Sequence, residues 1–326
     1  MGLQIVKKNY SHFIVDPNTP DQHDISKVGS LAWALNSSDI KCVELVAGTY
    51  DISAATVISP FDNKLITGKG ESSIIYSKRI SDRKVLTIEG AFTTIENVKF
   101  SENQAVYTYY NEPFIYINGA QSTSITECTF ALTSSRSCVD IYNSWNVDIS
   151  NNSFIGWHVQ MVHVGNSTYH NRVTNNIFEN FGSVGATSGM GVTTLGGYVT
   201  ITNNFYRYSS PGYATAFVLS TGGYNILANN IIDFYGAASA AYGCIYVPGS
   251  RHIVAKNIVK NVGTTNGACI YVSGQRNLIT ENVLTGGSYG VWKSASTLNG
   301  SVLYNVIKGY GVDYMHNENA SEDRYW

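Results

Sequence analysis

One six-residue segment recurs nine times along this chain, and no other feature constrains the fold as much. Its copies are IENVKF at 95–100, ITECTF at 125–130, ISNNSF at 149–154, VTNNIF at 173–178, ITNNFY at 201–206, LANNII at 227–232, VAKNIV at 254–259, ITENVL at 279–284 and VLYNVI at 302–307. The first position is always aliphatic and the last always apolar or aromatic. Successive copies end 23 to 30 residues apart. Two residues before each end, from the third copy onward, stands an unbroken column of asparagines: Asn152, Asn176, Asn204, Asn230, Asn257, Asn282 and Asn305.

A second motif lies between the copies, with apolar residues at every other position: FIYING at 114–119, CVDIYN at 138–143, MVHVGN at 161–166, AFVLST at 216–221, CIYVPG at 244–249 and CIYVSG at 269–274. Period two with β-branched and aromatic residues means strand. A repeat of about 25 residues that holds two or three short strands and no helical pattern predicts a parallel β-helix. Propeller blades need about 40 residues and the leucine-rich template is absent. One coil cannot bury its apolar face alone, but coils stacked about 4.8 Å apart share a continuous core. Asparagine suits the bend, because it tolerates left-handed backbone and its amide can bond along the axis as a ladder.

Outside the repeat, Ile25, Val28, Leu31, Ala32 and Leu35 fall on one helical face of 24–36, with Asp24 as the N-cap. Such a helix would plug the open end of the core. The expected division is an N-terminal segment with this capping helix over 1–40, the solenoid over 41–316 and a polar tail over 317–326. The first residues show no basic region followed by an apolar run, and so no secretion signal. No apolar run approaches the roughly 20 residues of a membrane span. Charged residues are only 13% of the 326 and the net charge is −2, which gives no field to attract nucleic acid. The five cysteines show no metal-ligand spacing and read as buried free thiols, although Cys244 and Cys269 occupy equivalent positions on adjacent coils and could pair. No cofactor or metal is expected.

The opening segment, the stretches VELVAGTYDI at 43–52 and LITGKGESSIIY at 65–76, and the asparagine-bearing coils resemble the right-handed pectate-lyase-like β-helix superfamily. The resemblance covers about residues 24–316 and concerns fold rather than a catalytic signature. It implies an all-β, single-stranded right-handed solenoid of about 10–12 coils. It also implies a carbohydrate polymer as ligand. Within the superfamily, the charge-poor, tyrosine-rich composition is most similar to bacteriophage tailspikes, which implies a homotrimer at a virion or in the extracellular space.

In this superfamily the ligand groove follows the strand after the long variable turn, here the second motif. Its outward column reads Tyr116, Asp140, His163, Thr193, Val218, Tyr246, Tyr271, Trp292 and Asp313. Asp140 and His163 sit on adjacent coils, about 5 Å apart, and read either as an acid–base pair or as a surface hydrogen bond. Tyr246, Tyr271 and Trp292 read as a sugar platform or as an interface, and Tyr142 joins Tyr116 as a further aromatic contact. The following turn holds a file of His170, Tyr198, Tyr224, Arg251 and Arg276, suited to an acidic polysaccharide or to plain packing along the solenoid. A third column, Glu179, Arg207, Asp233 and Lys260, places two carboxylates about 10 Å apart as for an inverting hydrolase, with the alternating signs of a salt-bridge ladder. The variable turns are 101–112, 179–189, 206–215 and 233–243.

The expected function is binding, and degradation by hydrolysis more than β-elimination, of a bacterial surface polysaccharide. The alternatives are a non-catalytic structural or receptor-binding β-helix, or a secreted lyase or epimerase.

Overall fold

Each repeat becomes one coil because its apolar residues alternate inward along three short strands, two of them joined by a tight bend. The computed structural model describes residues 11–78, 83–102, 112–132, 137–156, 160–180, 189–208, 214–220, 222–234, 243–261, 267–286, 288–294, 300–308 and 312–316. Most of the four variable turns and the tail 317–326 lie outside the described residues, as does the side chain of Asp313. Among the described residues no helix is long and apolar enough to cross a membrane.

The first strand of a coil is centred on the aliphatic column, as in Asp148–Ser150 and Arg172–Thr174; we call its stack sheet I. The second carries the terminal apolar residue, as in Ser153–Gly156 and Ile177–Asn180, and forms sheet II. The third is the period-two motif and forms sheet III, 11 strands from Val57–Ser59 to Val312–His316 in strict chain order. Its parallel pairing throughout, one strand per coil, is the expected parallel β-helix. Two long strands, Leu65–Ser77 and Thr94–Glu102, run through the bend between sheets I and II and join them into one 21-stranded sheet.

The interior is a set of axial stacks. Ile125, Ile149, Val173, Ile201 and Leu227 line sheet I and are fully buried. On sheet II the rings of Phe100, Phe130, Phe154 and Phe178 stack with centroids 4.8, 4.6 and 5.0 Å apart. Such pairs contribute about 0.5–1.5 kcal/mol each beyond area burial.

The asparagine ladder forms, but the bend is divided between two residues. Asn152 donates from Nδ2 to Oδ1 of Asn176 at 3.0 Å and from its backbone N–H to the same oxygen at 2.9 Å. Its second Nδ2 hydrogen goes to the Ile125 carbonyl at 2.9 Å. Every rung through Asn282 repeats this, and Asn305, the last acceptor, donates to the Ile279 and Leu303 carbonyls, so the buried amides are satisfied. The left-handed backbone belongs to the residue before the rung: Asn151, Asn175, Asn203 and Asn229, and equally Glu127, Lys256, Glu281 and Tyr304, with φ from 55 to 58°. The rung asparagine supplies hydrogen bonds, while its predecessor supplies the turn. At the rung position before Asn152 stands Cys128, whose N–H still donates to Asn152 Oδ1 at 2.9 Å.

At the N-terminal end the helix is shorter than expected. It spans Leu31–Leu35, and its N-cap is Ser30, whose hydroxyl accepts from Trp33 N–H at 3.0 Å. Asp24 instead accepts from the N–H and hydroxyl of Ser26, both at 2.8 Å, which closes a turn. Gly29 at φ 95° then prevents right-handed helix from forming upstream. Ile25 and Val28 are therefore exposed, whereas Leu31, Ala32 and Leu35 plug the core as expected. The strand His12–Val15 pairs in parallel with Cys42–Leu45, so a first strand of sheet I precedes the helix. Buried Lys64 donates to the carbonyls of Ala34, Ser37 and Ile40, and its burial pulls the ammonium pKa down to about 8.

Candidate functional site

The bend from sheet III into sheet I carries the file His170, Tyr198, Tyr224, Arg251 and Arg276. All five have left-handed backbone, with φ of 56 to 65°. That conformation costs a residue with a Cβ about 1–2 kcal/mol. Amides from coil to coil offset it: Tyr198 N–H donates to Gly223 O at 3.3 Å, Tyr224 N–H to Arg251 O at 3.0 Å and Arg251 N–H to Gln275 O at 3.0 Å.

Beneath the file runs a second buried polar ladder. Val199 N–H donates to Asn225 Oδ1 at 2.8 Å, Asn225 N–H to His252 Nδ1 at 3.2 Å and His252 N–H to Asn277 Oδ1 at 2.8 Å. With Nδ1 accepting, the His252 Nε2–H donates to the Ser220 carbonyl at 3.0 Å, and burial holds this imidazole below its usual pKa.

Pinned in this way, the side chains of the file project outward and lie in register. The His170 and Tyr198 rings stack at 5.2 Å with 25° between planes, and Tyr198 and Tyr224 at 5.3 Å with 7°. Arg251 lies over the Tyr224 ring at 5.5 Å and donates to its hydroxyl at 3.0 Å. Tyr198 and Tyr224 are each about half exposed. Trp145 and Tyr169, bridged to one another one place earlier in their turns, extend the exposed aromatic surface toward the N-terminus. Both escaped the sequence reading, although NSWN at 143–146 and STYH at 167–170 carry them just ahead of the left-handed residue.

The file ends in a cleft of about 420 Å³ walled by Tyr224, Ser250, Arg251, Gln275 and Arg276, with Gly222 and Gly223 also lining it. Nearby glycines let these turns stack closely: a Cβ on Gly249 would lie 1.5 Å from the Ser220 carbonyl oxygen, and one on Gly274 1.7 Å from that of Gly249.

The outer face of sheet III brings Asp140 and His163 together in register. Their Oδ1 and Nδ1 atoms are 3.7 Å apart, and Ser137 Oγ donates to the same carboxylate oxygen. His163 Nδ1 has no hydrogen-bond partner among the described residues. The Tyr142 ring meets the imidazole edge-on at 5.4 Å, Tyr116 follows at 5.6 Å, and Lys84 Nζ sits 3.7 Å from the centre of the Tyr116 ring. A carboxylate beside an imidazole can exchange a proton. However, Asp140 and His163 are only 5% and 3% exposed, so solvent barely reaches either.

Farther along sheet III, Tyr246 and Tyr271 stack at 5.3 Å and 6°, and Tyr271 meets Trp292 at 4.9 Å. These three are half-buried. On sheet II, Arg207 pairs with Glu179 at 3.5 Å and Lys260 with Asp233 at 3.9 Å, in the register Glu179, Arg207, Asp233, Lys260. The charges alternate as a ladder, with Arg207 standing between the two carboxylates. All five cysteines are free thiols. Among the described residues no group of three His, Cys, Asp or Glu side chains could hold a metal ion.

Comparison with known proteins bears on the fold. No curated protein matches the sequence. DFA-IIIase from Arthrobacter chlorophenolicus A6 superposes with a TM-score of 0.64 at 12% identity, over 97% of this chain and 93% of that one. The catalytic domain of a GH87 α-1,3-glucanase gives 0.57 at 14%, over 99% and 67%. The surface adhesin PfbA of Streptococcus pneumoniae gives 0.51 at 15%, over 88% and 87%. At such identities the likeness is one of fold. The model of the right-handed β-helix region matches residues 137–320, more than half of the chain, and the protein belongs to that family.

Proposed function

We propose that this protein binds a bacterial surface polysaccharide, laid along the helix axis over the exposed file of His170, Tyr198 and Tyr224, as a tailspike-like protein of a virion or the extracellular space. The observation that carries this reading is the stacking of exposed rings on consecutive coils, on left-handed backbone whose Tyr198 and Tyr224 N–H groups bond to the next coil. Aromatic rings repeated 5.2 and 5.3 Å apart along the axis, each presenting its outer edge, suit the spacing of successive sugar rings of a polymer. Structures sharing the fold include the catalytic domain of an α-1,3-glucanase, which supports a glycan as ligand. The half-buried Tyr246, Tyr271 and Trp292 provide a second, more covered platform.

A second reading, that the polymer is also cleaved, rests on the Asp140–His163 contact. Glu179 and Asp233 are engaged in ion pairs with Arg207 and Lys260, which favours the Asp140–His163 contact over them as the site of cleavage. The test is incubation with a panel of capsular and plant-type polysaccharides, following reducing ends and unsaturated-sugar absorbance for the wild type and Asp140→Asn. Reducing ends without unsaturation, lost in the variant, support hydrolysis at Asp140. Binding without products leaves a binding spike. Neither binding nor products overturns the polysaccharide reading.

The homotrimer is supported by an exposed apolar stripe on sheet II. Ile177, Ile231, Ile258, Val283 and Val306 are exposed, and with Phe205 they follow one another in register over about 24 Å. Light scattering should show trimers, and Ile231→Lys with Ile258→Lys should yield monomers of unchanged fold. A monomeric wild type would remove this part of the proposal.

A further inference from the structure

The cleft at the end of the aromatic file brings two arginines of adjacent coils to one open volume with no carboxylate among its lining residues. Five outward cations elsewhere stand beside carboxylates: Lys69 with Glu44, Lys99 with Glu71, Arg207 with Glu179, Lys256 with Glu281 and Lys260 with Asp233. Arg251 and Arg276 have no carboxylate partner among the described residues, and both are exposed. They occupy equivalent positions on adjacent coils, where like charges repel. Arg251 is also pre-positioned: the Tyr224 ring supports it and the Tyr224 hydroxyl takes one of its five N–H donors. Its remaining donors, with those of Arg276 and the Gln275 amide, border one open volume of about 420 Å³, within the range of small-ligand sites.

We propose that this cleft is a subsite for an anionic sugar unit, so that the polysaccharide is acidic and its charged group is held between Arg251 and Arg276. The inference rests on the reading of the file as a glycan-binding surface. A chain lying along the outer edges of Tyr198 and Tyr224 brings its next unit to the guanidinium of Arg251, in line along the axis. An oxyanion there relieves the repulsion between the two arginines and accepts charge-assisted, fork-shaped hydrogen bonds. A carboxylate of a uronate, a sulfate and a phosphate share this chemistry.

The experiment is affinity electrophoresis with a panel of bacterial capsular polysaccharides and polygalacturonate. Each polymer is offered native, after carboxyl reduction, and after removal of sulfate or phosphate where present. The proteins are the wild type, Arg251→Gln, Arg276→Gln and Tyr198→Ala, each with a thermal melt to show that the fold is kept. The expected result is binding to an acidic polymer that is lost when its charged group is removed, and that weakens about tenfold in each arginine variant at low salt. The treatment that abolishes binding identifies the group. If the bound polymer is neutral, or if removing its charge leaves affinity unchanged, the anionic subsite is wrong while the file, read through Tyr198→Ala, still stands. If the wild type binds no polymer, the glycan reading falls and the subsite with it.

Discussion

The rings of Tyr198 and Tyr224 lie parallel to within 7°, with centroids 5.3 Å apart, and both residues have left-handed backbone. Tyrosine gains nothing locally from that conformation, unlike asparagine, whose side chain can bond to the nearby backbone. The stack is instead set by the coil-to-coil amides beneath it. Tyr198→Ala and Tyr224→Ala should therefore each weaken glycan binding roughly 2- to 10-fold while moving the melting temperature little, because both rings are half exposed. Calorimetric titration beside a thermal melt checks both parts.

The asparagine ladder should behave as the opposite case, essential to the fold and silent in binding. Asn204 Oδ1 accepts from the Asn176 backbone N–H at 2.9 Å and from its Nδ2 at 3.0 Å, and Asn204 Nδ2 donates to the Val173 carbonyl at 2.9 Å. Asn204→Ala removes all three of these buried bonds, with the Asn176 backbone N–H losing its acceptor. The expected loss is about 3 kcal/mol or more, read from denaturant unfolding.

His252 makes the second ladder sensitive to acid. Burial lowers its folded pKa below the ordinary 6.5, so on acidification the unfolded chain takes up the proton first. Its contribution to stability is present above pH 6.5 and is lost as pH falls through the lower folded value. Asn225 and Asn277 fill the same place on the neighbouring coils, so His252→Asn should keep the bonds and lose the titration. Melts at pH 7 and pH 5 should differ less in this variant than in the wild type.

At the alkaline end the buried thiols dominate. Burial pushes Cys128 and Cys269 up to about 12 and raises Cys138 and Cys244 well above the ordinary 9.0. Their stabilising contribution is whole below pH 9 and is lost as pH climbs through 12. Lys64, lowered to about 8, acts in the other direction between pH 8 and 10.5, one group against four. Stability should fall between pH 9 and 10.5. Iodoacetamide at pH 8 should modify only Cys42, which is half-buried, until the chain is unfolded.

The features legible in the sequence are those that recur once per coil. The aliphatic column, the terminal aromatics and the Asn152–Asn305 column each repeat at one position, so register and core followed from spacing. Features set by a single coil or by a mixed column did not. Gly29 and the Asp24 turn shortened the helix, a local effect that amphipathic periodicity does not register. Left-handed backbone fell on residues as unlike as Asn151, Glu127 and Lys256, because stacking across coils outweighs their separate preferences. The second ladder mixes Asn171, Asn225, His252 and Asn277, and so shows no single-letter column. Alternation placed Asp140 and His163 side by side on the outer face, as found, but gave no sign that both are nearly closed to solvent.

The central claim is that a polysaccharide runs along the file at the bend between sheets III and I. A crystal structure of the protein with an oligosaccharide cut from the best-bound polymer tests it most directly. The account predicts sugar rings over Tyr198 and Tyr224, with the charged group of the next unit between Arg251 and Arg276. Sugar lying instead on sheet III, over Tyr246, Tyr271 and Trp292, with the file bare, would contradict it.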